Sequence, residues 1–128
     1  MIYLDTSALL KLVKAEPESP ALAVYLRGEA GLVSSALLVV EARRAAIRSA
    51  PQTLLRLDLL LSRIDLVAIS PSVVESASRL PDPLLRSLDA IHLATALLIR
   101  EEIAVLLTYD ERLATSAKNH RVPTAAPR

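Results

Sequence analysis

Four short apolar runs, each separated from the next by residues with helical spacing, constrain this chain more than any other feature. Ile2-Tyr3-Leu4, Leu32-Val33-Ser34, Ile64 to Ile69 and Ala104 to Thr108 are brief, rich in aliphatic residues and bounded by polar positions, which marks them as buried strands. Strands alternating with helices need crossover connections, so the strands lie parallel and helices cover both faces. The expected fold class is α/β, a three-layer α/β/α sandwich with a central parallel sheet of four to five strands. Val122-Pro123-Thr124 supplies the fifth, at an edge where proline is tolerated. The 128 residues suit one domain, residues 1–128, without repeats or linkers.

The helical stretches carry their own punctuation. Ala8 to Lys14 follows the first strand and stops before Glu16-Pro17-Glu18. Ser19-Pro20 supplies a cap and a first-turn proline, and Gly28 lies just past that helix. Ala36 to about Ala50 has Leu37, Val40 and Ile47 roughly on one face. Pro51 starts a helix that runs to about Ser62, and Ser70-Pro71 starts another that ends near Leu80. Asp82-Pro83 reads as the cap of a long helix, Leu84 to Arg100, with Leu84, Leu88, Ile91, Thr95 and Leu98 at helical spacing. Glu111 to Asn119 completes the set.

Composition excludes several chemistries. Without cysteine there are no disulfides, thiolate zinc sites or cysteine nucleophiles. Only Gly28 and Gly31 occur, too few for a glycine-rich phosphate loop. Aromatic residues are limited to Tyr3, Tyr25 and Tyr109, so stacking on aromatic rings is not the main mode of any nucleic-acid binding. The net charge of +1 hides a basic rim, Arg43, Arg44 and Arg48 with Lys11 and Lys14, open to solvent, RNA or an acidic protein segment. The longest stretch free of charged residues, Ala30 to Val40, is eleven residues, against the ~18–20 that a membrane span needs. The opening residues also lack a basic region followed by an apolar one, so the expected location is cytoplasmic. Mean hydropathy is +0.40. The helix from Leu54 to Leu61 is apolar on too many sides to stand alone, which suggests a groove for a protein partner or a second copy.

Chemistry concentrates in four carboxylates. Asp5 ends the first strand and Asp110 the fourth, so both project at the sheet edge where open parallel sheets bind ligands. Glu41 interrupts Leu37-Leu38-Val39-Val40-Glu41-Ala42, and Asp89 interrupts Leu88-Asp89-Ala90-Ile91-His92-Leu93. Singly, each has an ordinary structural role: Asp5 and Asp110 cap helices, Asp89 pairs with Arg86, and Glu41 pairs with Arg44 or Arg48. Together they repel by ~4 kcal/mol per pair at 4 Å and an effective dielectric of about 20, which a divalent cation offsets. All-oxygen ligands suit Mg²⁺ or Mn²⁺, and such a cation supports phosphodiester hydrolysis by polarising phosphate and activating water.

Two other functions compete with that one. A phosphatase using Asp5 as nucleophile expects Asp-x-Asp, whereas Ser7 holds the second position. A non-catalytic RNA- or protein-binding module would instead pair the acids with arginines. His92, three residues after Asp89, reads as a satisfied core histidine rather than a ligand, and His120 as exposed. Arg86 serves either to orient Asp89 or to touch RNA phosphate.

Ile2-Tyr3-Leu4-Asp5-Thr6-Ser7, Glu41, Leu88-Asp89-Ala90-Ile91-His92-Leu93-Ala94 and Leu107-Thr108-Tyr109-Asp110-Glu111-Arg112-Leu113 resemble PIN-domain proteins, specifically VapC-type toxins of bacterial toxin–antitoxin pairs. The resemblance runs in order over essentially the whole chain. It implies an endoribonuclease that uses one or two Mg²⁺ or Mn²⁺ ions, with Asp5, Glu41, Asp89 and Asp110 as the catalytic and metal-holding quartet. Thr6, Ser7 and Thr108 would support them. It also implies an RNA substrate, a cognate antitoxin that inserts into the site, and a homodimer or toxin–antitoxin hetero-oligomer with no membrane association. The fourth acid varies most in that family, so Asp110 has the weakest claim to direct metal contact.

Overall fold

The computed structural model describes residues 1–28 and 31–128. Its centre is an all-parallel five-stranded sheet in the order β3-β2-β1-β4-β5. The strands are β1 (Ile2–Leu4), β2 (Leu32–Ser35), β3 (Ile64–Val67), β4 (Val105–Leu107) and β5 (Thr124–Ala125). β1 and β4 are buried along their whole length, as the apolar runs require of strands covered on both faces. The expected three-layer parallel architecture is therefore present. β5 pairs at Thr124 and Ala125 rather than from Val122, because Pro123 has no N–H and contributes only its carbonyl, which accepts from Leu106 at 2.8 Å.

Side-chain alternation along β1 divides the core. Ile2 and Leu4 join one apolar cluster with α1 (Thr6–Val13), α2 (Ser19–Leu26), α3 (Leu37–Ser49) and α4 (Leu54–Leu61). Tyr3 faces the other way, toward α6 (Ser87–Leu98) and α7 (Glu111–Asn119). α5 (Pro71–Ser78), capped by Ser70, packs on α6. Among the described residues no helix is long and apolar enough to cross a membrane.

Several local expectations are corrected. Pro51 opens a short 3-10 turn, Pro51–Thr53, before α4 rather than one continuous helix. On α3 the buried stripe is Leu38, Ala42 and Ala46, whereas Val40 is 60% and Ile47 49% exposed. Ala42 and Ala46 join the core shared with α1 and α4, where small side chains let the helices pack closely, so packing selects them over Val40 and Ile47. α6 begins at Ser87, not Leu84, and Leu84 is 78% exposed. Asp82 does not cap α6, because its Oδ1 meets His120 Nε2 at 2.8 Å instead. His120 is accordingly half-buried rather than exposed. On α4, Leu57 and Leu61 are buried while Leu55 and Leu59 remain exposed, so the helix keeps an uncovered apolar strip.

After α7 the chain reverses in a Schellman motif. Arg121 N–H donates to Lys118 O and Val122 N–H to Ala117 O, both at 2.9 Å. Arg121 takes φ +62°, left-handed backbone usually given to glycine.

Candidate active site

Because β1 pairs with β2 on one side and β4 on the other, the strand order switches sides beside β1, and the carboxyl ends of the strands at such a switch point are where open parallel sheets bind ligands. Asp5 sits at that end of β1, its backbone N–H donating to Leu107 O at 3.2 Å. The residue is only 3% exposed. Oδ1 accepts from Ser7 Oγ at 2.6 Å and from Ala8 N–H at 2.9 Å, while Oδ2 accepts from Thr108 Oγ1 at 2.5 Å. The Ala8 bond caps α1, so the capping role expected of Asp5 is present alongside its place at the switch point. Burial raises the Asp5 carboxyl above its ordinary range despite these three donors. Each carboxylate oxygen has two lone pairs, so Oδ1 is saturated and Oδ2 keeps one.

The β4 end is tied to the same group. Thr108 Oγ1 accepts from Asp110 N–H at 3.0 Å, and Ser7 Oγ accepts from Tyr109 N–H at 2.9 Å. Asp110 Oδ1 caps α7 through Leu113 N–H at 3.0 Å, and its Oδ2 meets no donor among the described residues.

Glu41, half-buried in the second turn of α3, does not pair with Arg44 or Arg48. Its Oε1 accepts from Thr6 Oγ1 at 2.6 Å and from His92 Nε2 at 2.7 Å. Burial alone would raise this carboxyl, but the His92 and Thr6 donors outweigh it and hold Glu41 below its ordinary range.

Asp89, in the first turn of α6, accepts no hydrogen bond among the described residues. Burial raises its carboxyl, and the carboxylates of Asp110, Asp5 and Glu41 push in the same direction against His92. The expected partner Arg86 is exposed and forms no ion pair with Asp89. The four acids thus share one field at the strand ends, although among the described residues no three of them close into a metal cage. What they offer is the remaining lone pair of Asp5 Oδ2, one free oxygen each from Glu41 and Asp110, and two from Asp89. This open, all-oxygen donor set fits a hydrated octahedral cation such as Mg²⁺ or Mn²⁺ better than a dehydrated one. A cleft of about 380 Å³ between α5 and α6 contains none of the four acids.

His92 is 1% exposed and uses both ring nitrogens, so it is the satisfied core histidine expected. The reading of the chain missed that its partners are Glu41 and the Tyr3 hydroxyl, at 2.7 and 2.8 Å. It also missed Ser35, whose N–H donates to Tyr3 at 3.2 Å. A signal existed: a tyrosine inside a buried strand and a histidine inside an apolar helix each need a polar partner.

The family model for the PIN domain matches residues 2–119. Ribonuclease VapC35 of Mycobacterium tuberculosis is 43% identical over 131 aligned positions, covering 99% of this chain and 97% of that protein. Ribonuclease VapC46 of the same organism is 40% identical, covering 98% and 97%. Among solved structures, VapBC2 from Rickettsia felis, bound to a DNA fragment from its promoter, has a chain that superposes with a TM-score of 0.76 at 18% identity, covering all of both chains.

Proposed function

Because the chain belongs to the PIN-domain family, we propose that it is a divalent-metal-dependent endoribonuclease and the toxin of a toxin–antitoxin pair. The observation that carries the metal dependence is Asp89, half-buried, without a donor, and opposed by three other carboxylates. That arrangement is costly unless a cation joins it. Identity of 43% to a ribonuclease over nearly the full length supports the reaction, and the fold shared with VapBC2 is consistent with an antitoxin partner.

Asp5, Glu41, Asp89 and Asp110 would hold one or two Mg²⁺ or Mn²⁺ ions. When bound, the cation supplies charge neutralisation at the scissile phosphate and activation of the attacking water. The remaining work belongs to the chain. Ser7 and Thr108 clamp Asp5 and leave a single lone pair on Oδ2 for binding. Thr6 and His92 keep Glu41 ionised. Arg86, exposed at the start of α6 and free of Asp89, serves an RNA phosphate. The uncovered leucines of α4, Leu55 and Leu59, with Val40 and Ile47 of α3, form the apolar surface for the antitoxin or a second copy.

The test is cleavage of structured RNA with Mg²⁺ and with EDTA. Asp5→Asn, Glu41→Gln and Asp89→Asn should each abolish EDTA-sensitive cleavage, and undiminished cleavage by these variants would refute the assignment. Calorimetry showing no divalent-ion binding by the parent protein would favour a module that merely holds RNA or protein.

A further inference from the structure

A line of polar groups that ends on Glu41 begins in the middle of the sheet. Tyr3 is fully buried in the central strand, where its hydroxyl needs partners. Its oxygen accepts from Ser35 N–H at 3.2 Å and meets His92 Nδ1 at 2.8 Å. The two rings stand edge to face, with centroids 5.9 Å apart at 88°. On the far side of the imidazole, Nε2 lies 2.7 Å from Glu41 Oε1.

Hydrogen-bonding chemistry sets the direction of the line. A carboxylate oxygen only accepts, so Nε2 carries the hydrogen. In the neutral ring Nδ1 is then the acceptor, so the Tyr3 hydroxyl, which itself accepts from Ser35 N–H, donates to it. Donation therefore runs from Tyr3 to His92 to Glu41, across the sheet edge from the α6 layer to the α3 layer. A second donor, Thr6 Oγ1 at 2.6 Å, fills the other lone pair of Oε1.

We propose that His92 and Tyr3 are positioning residues for metal binding, holding Glu41 by Oε1 so that it offers the cation Oε2 alone, in one fixed orientation. The inference rests on the reading of Glu41 as a metal ligand. The Glu41 side chain is 20% exposed, and with only Thr6 to hold it, the carboxylate is free to turn toward solvent. Tyr3 acts one step further back. Without its hydroxyl Nδ1 is left without a partner and the ring loses one of its two anchors, so Nε2–H is held less firmly toward Glu41. Carboxylate ligands in metal sites are commonly fixed by hydrogen bonds of this kind, and losing one typically weakens metal binding by about 10–100-fold.

The experiment is a Mn²⁺ titration without RNA, followed by the electron paramagnetic resonance signal of free Mn²⁺. It uses the full chain and its His92→Leu, His92→Gln and Tyr3→Phe variants, each checked for folding by circular dichroism. His92→Leu should weaken Mn²⁺ binding by about 10–100-fold. His92→Gln should recover most of that loss, because its amide N–H stands where Nε2–H stood. Tyr3→Phe should weaken binding by less than His92→Leu does. Folded His92→Leu and Tyr3→Phe proteins that bind Mn²⁺ like the parent overturn the inference and leave the metal reading intact. A glutamine variant as weak as the leucine variant also overturns it, since packing rather than the donor would then matter. If His92→Leu does not fold, Tyr3→Phe and His92→Gln decide the matter. No Mn²⁺ binding by the parent overturns both this inference and the reading beneath it.

Discussion

Replacing Asp5 by asparagine removes charge from the most enclosed of the four acids, and it should stabilise the metal-free protein. The amide can keep the local bonds: its oxygen still accepts from Ser7 and Ala8, and its N–H₂ can donate to Thr108 Oγ1, which reverses its hydroxyl. Burying a carboxylate costs several kcal/mol. Each of the three donors returns only about 1 kcal/mol more to a charged acceptor than to a neutral one, so roughly 3 kcal/mol is regained. Repulsion with Asp89 adds to the deficit. The remainder, on the order of 1–2 kcal/mol, corresponds to a rise in Tm of about 3–6 °C for a chain of this size. Differential scanning calorimetry in EDTA at pH 7.5 measures it. Saturating Mn²⁺ should reverse the order, since a ligand at 100 times its Kd stabilises the parent by about 2.7 kcal/mol. The pH dependence has a definite sign. Burial raises the Asp5 carboxyl, so stability present below about pH 4 is lost as pH rises through the raised value. The advantage of asparagine therefore vanishes below about pH 4 and grows above it. An unchanged or lower Tm in EDTA at pH 7.5 refutes the argument that this carboxylate is under electrostatic load.

The pairing of Asp82 with His120 makes the opposite prediction at acid pH. His120 holds the Asp82 carboxyl below its ordinary range, so its contribution is present above about pH 4 and is lost as pH falls through the lowered value. Urea midpoints between about pH 5 and pH 2 should fall less steeply for Asp82→Asn than for the parent, and equal slopes would count against the pair. Arg121→Gly relieves the left-handed strain after α7 and should stabilise the fold by about 0.5–1 kcal/mol in urea, whereas a loss would mean that the arginine side chain contributes more than its backbone costs. Leu57→Ala, at a fully buried α4 position, should destabilise by about 2–5 kcal/mol, and a change under about 1 kcal/mol would show that α4 is not anchored by this side chain.

Local signals failed where a distant residue competed for the same group. Asp82-Pro83 has the form of a helix start, yet His120, 38 residues later, takes the Asp82 side chain and α6 starts at Ser87. Leu37, Val40 and Ile47 share an apolar periodicity on α3, yet only Leu37 is buried, because the core shared with α1 and α4 takes Leu38, Ala42 and Ala46, whose small alanines allow closer packing. Glu41 has Arg44 and Arg48 nearby on its own helix, but its Oε1 is held by Thr6 from α1 and His92 from α6. No pattern within one helix carries that information.

The sequence by itself determined the parallel α/β class, since short apolar runs between helical stretches have no other way to bury both faces. It also determined that Asp5 and Asp110 lie past the carboxyl ends of strands, although β4 stops at Leu107 and Asp110 caps α7, and that Glu41 and Asp89 interrupt apolar helical segments, because a lone carboxylate in such a run is visible without coordinates. The tertiary structure alone decided which oxygens are spent and which remain free. That division depends on hydrogen bonds spanning up to 103 residues, such as Thr108 to Asp5, and these form only when the strand ends and two helix layers meet.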